Sequence, residues 1–371
     1  MAVIATIIAL APGEGVAVFG PPPEPRATAY ALVDPATGET LAAESPDRTL
    51  PMASPTKMMT ALLVRDRADL DELVTILDTD LDDDVVPTLV PGERLPVRDL
   101  LASLLVGSDN RAAVALAVHV AGSEERFVAL MNARARAADL AATRFANPHG
   151  LDAPNHRSSA ADLVTIAEEV MADPFLADIV GERTAAIPGP GGVGTRALES
   201  QNDLLDLDPE ADGVKTGMTS DAGYVLVAHA TRSRLDKELY VAILGSPGRL
   251  ERAADAEALL DWGFAQFARP TLVDPAEELG QVAVTGRPGR VIALRTARPL
   301  EATVRVDEGI EQRVRVPPRL DPPLAAGERV GEVVYLQSGR ELARAPVVLA
   351  GGAGAPTLWD RVRSGWDELI P

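Results

Sequence analysis

The stretch Met52-Ala-Ser-Pro-Thr-Lys-Met-Met-Thr-Ala-Leu-Leu63 decides how the rest of this chain is interpreted. It predicts the start of a buried helix, because Pro55 suits a first helical turn and the residues after Lys57 are mostly apolar. Ser54 and Lys57 are three residues apart, so they share one face of that helix. A serine hydroxyl is a weak nucleophile until a base takes its proton, and a desolvated amine is such a base. The stretch therefore predicts a serine nucleophile with Lys57 as its base.

Two further motifs strengthen this interpretation. Ser-x-x-Lys by itself is a weak signal, since it occurs by chance in many chains and Ser54 could serve only as an N-cap. Ser108-Asp109-Asn110 lies between two predicted helices, where a polar tripeptide is most often just a cap. Lys215-Thr216-Gly217 lies on a predicted edge strand. The three motifs follow one another in the order in which known serine enzymes combine them in one active site.

Lysine usage supports the assignment of Lys57. The chain contains three lysines, Lys57, Lys215 and Lys237, and the remainder of its 35 basic residues are arginine. An arginine cannot be deprotonated in a protein, so it could not act as the base beside Ser54. Lys215 is less constrained, because arginine also binds carboxylates.

Composition excludes several classes of function. The net charge of −20 argues against a nucleic-acid partner, because phosphate binding needs a basic surface. The chain has no cysteine, which excludes disulfides, thiol chemistry and thiolate metal sites. Its histidines show no metal-ligand spacing; they are His119, His149, His156 and His229. We therefore expect neither a metal nor a cofactor.

Both ends of the chain differ from its middle. Residues 1–26 start with an apolar run and end in a proline-rich linker. The run is typical of a signal peptide that lacks its positive start, and a buried strand is the alternative. Residues 351–371 predict a flexible joint and an amphipathic helix with Trp359 and Trp366 on one face. This helix fits either packing against the protein or peripheral membrane contact, although the basic face of membrane-bound helices is absent.

Between these ends the sequence predicts an α+β domain and a small all-β domain. In residues 27–269, a helical block separates strand-like runs such as Thr28–Asp34 and Leu239–Leu244, which indicates an antiparallel sheet built from both ends of the region. In residues 270–350, short strand-like runs alternate with turn residues and carry no candidate chemistry. A chain of 371 residues is long enough for both domains.

With its three motifs placed, the chain resembles the low-molecular-weight penicillin-binding proteins, specifically the serine D-alanyl-D-alanine carboxypeptidases. Further local matches to that family are Asp34-Pro-Ala-Thr-Gly-Glu39, Val90-Pro-Gly-Glu93, His149-Gly-Leu-Asp152, Ala222-Gly-Tyr224 and Leu260-Asp-Trp-Gly-Phe264. The resemblance implies a β-lactamase/DD-peptidase-like catalytic domain, then a small β domain and a C-terminal amphipathic helix. It implies a bacterial enzyme outside the cytoplasm, in the periplasm or on the outer face of the membrane. The implied substrate is a peptidoglycan stem peptide ending in D-Ala-D-Ala, with β-lactam antibiotics as inhibitors.

The resemblance also implies the roles of the catalytic residues. Ser54 would be the acylated nucleophile and Lys57 its general base. Ser108 would relay a proton to the leaving D-alanine. Asn110 would orient Lys57 and the substrate amide.

Four residues around the third motif are implied to bind the substrate. Lys215 and Thr216 would hold its terminal carboxylate. The backbone N–H groups of Ser54 and Met218 would form the oxyanion hole. Gly217 also follows from physical reasoning, because a side chain there would fill the gap between the strand and the nucleophile.

Three alternatives stay open. A class A β-lactamase shares the motifs but needs a glutamate that activates the deacylating water. The region between the second and third motifs contains Glu168, Glu169, Glu182 and Glu199, none of which stands in that family's Glu-x-x-Leu-Asn setting. Such an enzyme would also end near Phe267, whereas this chain continues to Pro371. A peptidoglycan DD-endopeptidase would use the same catalytic residues. A non-catalytic cell-wall scaffold is the third alternative.

Overall fold

The structure is a computed structural model that describes residues 2–8, 20–78, 89–355 and 357. Its helices are α1 Thr56–Arg65, α2 Val97–Leu105, α3 Asn110–Ala121, α4 Glu124–Ala137, α5 Ala160–Ala172, α6 Pro174–Val180, α7 Leu204–Leu207 and α8 Arg249–Ala265. Its strands are β1 Ala2–Ile8, β2 Ala29–Asp34, β3 Glu39–Glu44, β4 Leu73–Thr75, β5 Arg94–Pro96, β6 Thr184–Pro188, β7 Thr195–Glu199, β8 Ala211–Thr219, β9 Gly223–Arg232, β10 Lys237–Ser246, β11 Phe267–Ala268, β12 Thr271–Val273, β13 Gly280–Val284, β14 Val291–Thr296, β15 Leu300–Glu301, β16 Val304–Arg305, β17 Ile310–Val316, β18 Arg319–Leu320, β19 Arg329–Gln337 and β20 Arg340–Leu349. The first compact unit contains residues 20–233 and 237–264, and the second contains β1, residues 234–236 and the described residues from 265 onward.

The first unit is built on a five-stranded antiparallel sheet in the order β3-β2-β10-β9-β8. Strands from both ends of the unit meet in it. In β2 and β10, Ala31 lies opposite Ala242, and in β8 and β9, Lys215 lies opposite Val227. β8 therefore forms an edge of the sheet, as predicted, and an edge strand keeps one row of backbone N–H and C=O groups free of strand partners.

The central strands of the sheet of the first unit are buried on both faces. Along β10, Tyr240, Ala242 and Leu244 belong to the main hydrophobic core, on the side where α5 contacts β2, β9 and β10. Side chains alternate along a strand, so Leu239 lies on the opposite face, where Gly263 of α8 packs closely against it. Burial on both sides explains why β10 is apolar at every position from Leu239 to Leu244 instead of alternating.

Helix α1 lies at the centre of the helical block. Every residue from 56 to 64 is buried, and the helix contacts α2, α3, α4 and α5. A helix that is apolar on most sides needs neighbours on most sides, which confirms the prediction of a helix inside a core. The helical block and the antiparallel sheet together confirm the predicted α+β class.

The hairpin β6–β7 was not predicted from the sequence. Its two strands pair antiparallel, and in each strand a single residue is buried, Ile187 in β6 and Leu198 in β7. Arg196 of this hairpin forms a largely buried ion pair with Glu93. With one buried residue per strand the hydrophobic pattern is too weak to indicate a strand, and the stabilising ion pair joins residues far apart in the sequence.

The second unit contains a seven-stranded sheet in the order β1-β17-β19-β20-β14-β13-β18. Buried and half-buried residues alternate along β17, as expected for a strand with one face on a core. That core includes Leu294, Val314, Tyr335 and Val347. The predicted all-β character of this region is confirmed.

The predictions for the chain ends have different outcomes. β1 pairs with β17 with Ala2 opposite Val316, which is the strand alternative for the apolar N-terminal run. The assignment of residues 1–26 as a signal-like segment and linker stays a prediction, as do the other domain boundaries. Trp359 and Trp366 lie outside the described residues. Within the described ranges, no helix is both long and apolar enough to cross a membrane.

Candidate active site

Ser54 lies in the turn that leads into α1. The helix begins at Thr56. Pro55 is its N-cap and has a helical backbone conformation, so it lies one residue before the first helical turn in which the sequence placed it. The Lys57 N–H donates to the carbonyl of Ser54 at 2.9 Å, and Ala53 has a left-handed φ of 53°. This turn brings the two functional side chains into contact, with Lys57 Nζ 3.0 Å from Ser54 Oγ.

The Lys57 side chain is fully buried and is held by further oxygen atoms. Its Nζ donates to Oδ1 of Asn110 at 2.6 Å and to the carbonyl of His149 at 2.7 Å. Both acceptors are neutral, and they come from α3 and from the loop that precedes α5. The amine is therefore fixed within hydrogen-bond reach of Ser54 Oγ, which is the geometry that a general base needs.

The Ser108-Asp109-Asn110 motif lies where α2 gives way to α3. The Asp109 carboxylate caps α3 by accepting the backbone N–H groups of Arg111 and Ala112, at 2.8 and 3.1 Å. Capping fixes the first residue of the helix, Asn110, whose side chain reaches Lys57. Ser108 has a left-handed φ of 56°, and its hydroxyl has no hydrogen-bond partner among the residues that the structure describes.

The third motif lies on β8, directly beside the nucleophile turn. A Cβ atom at Gly217 would lie 2.7 Å from the backbone N of Ser54 and 2.6 Å from Cδ of Pro55. Both distances are shorter than a carbon side chain tolerates, so the strand can approach this closely only with glycine. The structure thus bears out the physical argument for Gly217. The next residue, Met218, is 53% exposed.

The side chain of Lys215, the first residue of this motif, is buried, and its Nζ donates to the carbonyl of Thr216 at 3.0 Å. Burial holds the pKa of Lys215 well below its usual value, and the positive charges of Lys57 and Arg252 lower it further. A desolvated cation next to like charges is stabilised when an anion pairs with it. The motif is therefore suited to an anionic group of a ligand.

Arg252, on α8, supports β8 from within the protein and was missed by the sequence analysis. Its Nη1 donates to the carbonyls of Gly217 and Val225, at 3.0 and 3.1 Å, and burial lowers its pKa to about 10. It shares the buried face of α8 with Ala256 and Leu259. An arginine on an otherwise apolar helix face is unusual, and this was the signal that could have revealed it.

The loop from Asn147 to Asp152 joins the separate parts of the site. A Cβ atom at Gly150 would lie 2.2 Å from the carbonyl of Ala53, so the loop packs directly on the nucleophile turn. At its other end, the Asp152 carboxylate accepts the hydroxyl of Thr219 at 2.6 Å, just past the third motif. One loop thus contacts both walls of the site, in addition to its carbonyl contact with the buried lysine.

A buried histidine supports the nucleophile turn from below. His156 Nδ1 accepts the backbone N–H of Ala146 at 2.9 Å, which places the ring proton on Nε2. That Nε2–H donates to the hydroxyl of Thr56 at 2.7 Å, and Thr56 donates to the carbonyl of Ala53 at 2.8 Å. The sequence analysis listed His156 only among residues without metal-ligand spacing, because its partner Thr56 is 100 residues away.

Because His149 and His156 are both neutral in the folded protein, the free energy of unfolding is predicted to depend on pH. Burial, and to a smaller extent the charge of Lys57, lowers the pKa of His149 to about 3. Burial lowers the pKa of His156 to about 4. The unfolded chain binds these protons from about pH 6.5 downward, so the free energy of unfolding should fall as the pH drops from about 6.5 to 4. Each histidine contributes at most about 1.4 kcal/mol per pH unit.

Urea unfolding of the wild type and of His156→Gln at several pH values would check this. The variant should lose stability less steeply over this pH range, by about one bound proton. Identical slopes would mean that His156 binds its proton over the same pH range in the folded protein as in the unfolded chain, contrary to the hydrogen bonds described above.

Comparison with known proteins places the chain in a family. Residues 17–247 match the family model described as D-alanyl-D-alanine carboxypeptidase. The chain is 30% identical to D-alanyl-D-alanine carboxypeptidase DacA of Haemophilus influenzae over 364 residues, 94% of this chain and 90% of that protein. It is 34% identical to D-alanyl-D-alanine carboxypeptidase DacB2 of Mycobacterium tuberculosis over 255 residues, 66% of this chain and 84% of that protein.

A solved structure shows the same relationship. Penicillin binding protein 5 from Haemophilus influenzae superimposes with a TM-score of 0.65 at 31% identity, covering 90% of this chain and 99% of that one. This agreement confirms the predicted DD-peptidase-like fold, and the family model confirms the resemblance seen in the motifs. The chain belongs to the D-alanyl-D-alanine carboxypeptidase family of serine peptidases.

Proposed function

We propose that this protein removes the terminal D-alanine from peptidoglycan stem peptides through an acyl-enzyme on Ser54. The observation that carries the proposal is the contact of the buried Lys57 Nζ with Ser54 Oγ at 3.0 Å. Membership of the carboxypeptidase family supports the substrate, a stem peptide ending in D-Ala-D-Ala. It equally supports covalent reaction with β-lactam antibiotics, which is general in this family of penicillin-binding enzymes.

Acylation starts when Lys57 takes the proton of Ser54 Oγ, and the oxygen attacks the carbonyl carbon of the penultimate D-alanine. The backbone N–H groups of Ser54 and Met218 stabilise the oxyanion that forms. Ser108 passes the proton from Lys57 to the departing amine, and free D-alanine leaves. Water then attacks the acyl ester, releases the shortened peptide and restores the serine hydroxyl.

The terminal carboxylate of the substrate is proposed to lie against Lys215 and Thr216. Support comes from the charges around the motif, where Lys215 and Arg252 are both buried and positive charges disfavour one another. A carboxylate bound there would offset part of that repulsion. This preference for a free carboxylate fits a carboxypeptidase, which acts at the end of a peptide chain.

The alternatives are separated by their products. A β-lactamase would hydrolyse penicillin without a lasting adduct. It would also need a glutamate that activates the deacylating water, and one of the four candidates, Glu169, is instead engaged in an ion pair with Arg134. An endopeptidase would release cross-linked peptides instead of D-alanine. A scaffold would do neither.

Intact-mass spectrometry with benzylpenicillin tests the roles of the two central residues. We expect a persistent one-to-one adduct on the wild type and no adduct on Ser54→Ala. Lys57→Arg keeps the positive charge but cannot accept a proton, so its acylation should slow by about 10²–10⁴-fold. Acylation of Lys57→Arg at the wild-type rate would remove Lys57 as the base.

Release of D-alanine from a D-Ala-D-Ala peptide completes this test. The wild type should release it, and the Ser54→Ala variant should not. Rapid loss of the antibiotic without an adduct would favour the β-lactamase, and the absence of both adduct and hydrolysis would favour the scaffold.

The close approach of β8 predicts the effect of Gly217→Ala. The added methyl group overlaps the backbone N of Ser54, so the oxyanion hole is displaced and acylation should slow by about 10²–10³-fold. Gly309→Ala is the matched control, because a Cβ atom there has no neighbour within 4 Å. Wild-type acylation kinetics in Gly217→Ala would contradict the proposed geometry of the hole.

We further propose that the enzyme works outside the cytoplasm, where peptidoglycan is located, and that Trp359 and Trp366 make peripheral contact with the membrane. Co-sedimentation with phospholipid vesicles tests this contact, using the full chain and a Trp359→Ala/Trp366→Ala variant. We expect the wild type to sediment with the vesicles and the variant to stay in solution. Equal behaviour of the two proteins would favour the alternative, in which this segment packs against the protein.

A further inference from the structure

A pocket on the first unit, separate from the residues of the active site, is lined mainly by arginine and polar side chains. Its volume is about 280 Å³. The lining residues that matter here are Arg136, Arg144, Arg157, Thr49, Thr143 and Asn132. Because the whole chain carries a net charge of −20, three arginines in one concavity require an explanation.

The backbones of two of these arginines, Arg144 and Arg157, lie opposite each other, and both side chains are exposed. Arg144 and Arg157 form an antiparallel bridge, in which the N–H of Arg144 donates to the carbonyl of Arg157 at 2.8 Å and the reverse bond measures 3.0 Å. Residues opposite each other in such a bridge project to the same side, and like charges at these positions destabilise the pair. Arg136, from the last turn of α4, adds a third positive charge to the same pocket.

Within the described ranges, no acidic side chain forms an ion pair with these three arginines. Among the described residues, none of the three guanidinium groups forms an ion pair or a hydrogen bond. Arg134, two positions before Arg136 on α4, contrasts with them, since it is paired with both Asp66 and Glu169.

An acid in the hydrogen-bond network beside the pocket, Asp162, is already engaged. The carboxylate of Asp162 accepts the backbone N–H of Ala142 at 2.9 Å and the hydroxyl of Thr143 at 2.6 Å. The amide of Asn132 is also used, by the backbone of Phe145. The donors left to face the pocket are therefore the three arginines and the hydroxyl of Thr49.

We propose that this pocket binds a phosphate group. Guanidinium groups present paired N–H donors that match phosphate oxygens, and arginine is the preferred residue for such recognition. A phosphate dianion would offset the repulsion between Arg144 and Arg157, whereas a carboxylate has fewer oxygens and half the charge. Phosphate esters in solution and phospholipid headgroups share this chemistry, so the experiment must distinguish them.

The test uses the full chain and inorganic phosphate as the probe. Phosphate should raise the melting temperature in a saturable manner, whereas chloride and acetate at the same ionic strength should not. Arg144→Gln/Arg157→Gln should bind phosphate at least tenfold more weakly in calorimetry. Arg126→Gln/Arg234→Gln removes the same charge from exposed positions outside the pocket and should bind like the wild type.

Two further readouts keep the test independent of misfolding. Arg144→Gln/Arg157→Gln should react with benzylpenicillin like the wild type, since neither residue belongs to the proposed catalytic machinery. Without phosphate, its melting temperature should be higher than that of the wild type, because the repulsion is gone. The single variant Arg136→Gln, on an exposed helix position, should also weaken phosphate binding.

Vesicles identify the source of the phosphate. If Arg144→Gln/Arg157→Gln binds phosphatidylglycerol vesicles less than the wild type does, the ligand is a lipid headgroup. If only inorganic phosphate binding is lost, the ligand is a soluble ester. The proposal is overturned if acetate or chloride stabilises the wild type as phosphate does, or if the arginine variants bind phosphate with unchanged affinity.

Discussion

The buried amine of Lys57 constrains the rest of the first unit. Its Nζ reaches Ser54, Asn110 and the carbonyl of His149, which belong to three different segments of the chain. Moving any of these segments breaks a hydrogen bond of a group that has no access to water. The position of α1 inside the helical block, the cap that starts α3 and the loop before α5 therefore have to be correct together.

The second constraint is steric. The nucleophile turn is enclosed between β8 on one side and the loop from Asn147 to Asp152 on the other. Gly217 and Gly150 are the points of closest approach, and a methyl group at either position would overlap the turn. Two glycines therefore set how narrow the site can be, and Arg252 fixes the carbonyl of Gly217 from behind. The site gains its precision from packing that leaves no room for adjustment.

Charge in the site is strongly unbalanced. Lys215 and Arg252 are both buried, while the neighbouring histidines, His149 and His156, are kept neutral by burial. A neutral His156 can hold Thr56 and the turn before Ser54 without adding a further positive charge. The excess positive charge that remains lies beside the third motif, and it suits a site whose ligand brings its own carboxylate. Buried positive charge destabilises the folded protein relative to a neutral core. The same charge lets the site recognise an anion.

The sequence by itself determined the helix that carries Lys57 and begins just after Ser54, the order of the three motifs, the edge strand with Gly217 and the α+β class. These features depend on local spacing and on runs of apolar residues, which can be read within one segment. The carbonyl of His149 beside Lys57, the pairing of His156 with Thr56, Arg252 beneath β8 and the hairpin β6–β7 were decided only by the tertiary structure. Each of these joins residues that are distant in the chain, and a single sequence carries no local pattern for a contact that forms only when the core closes.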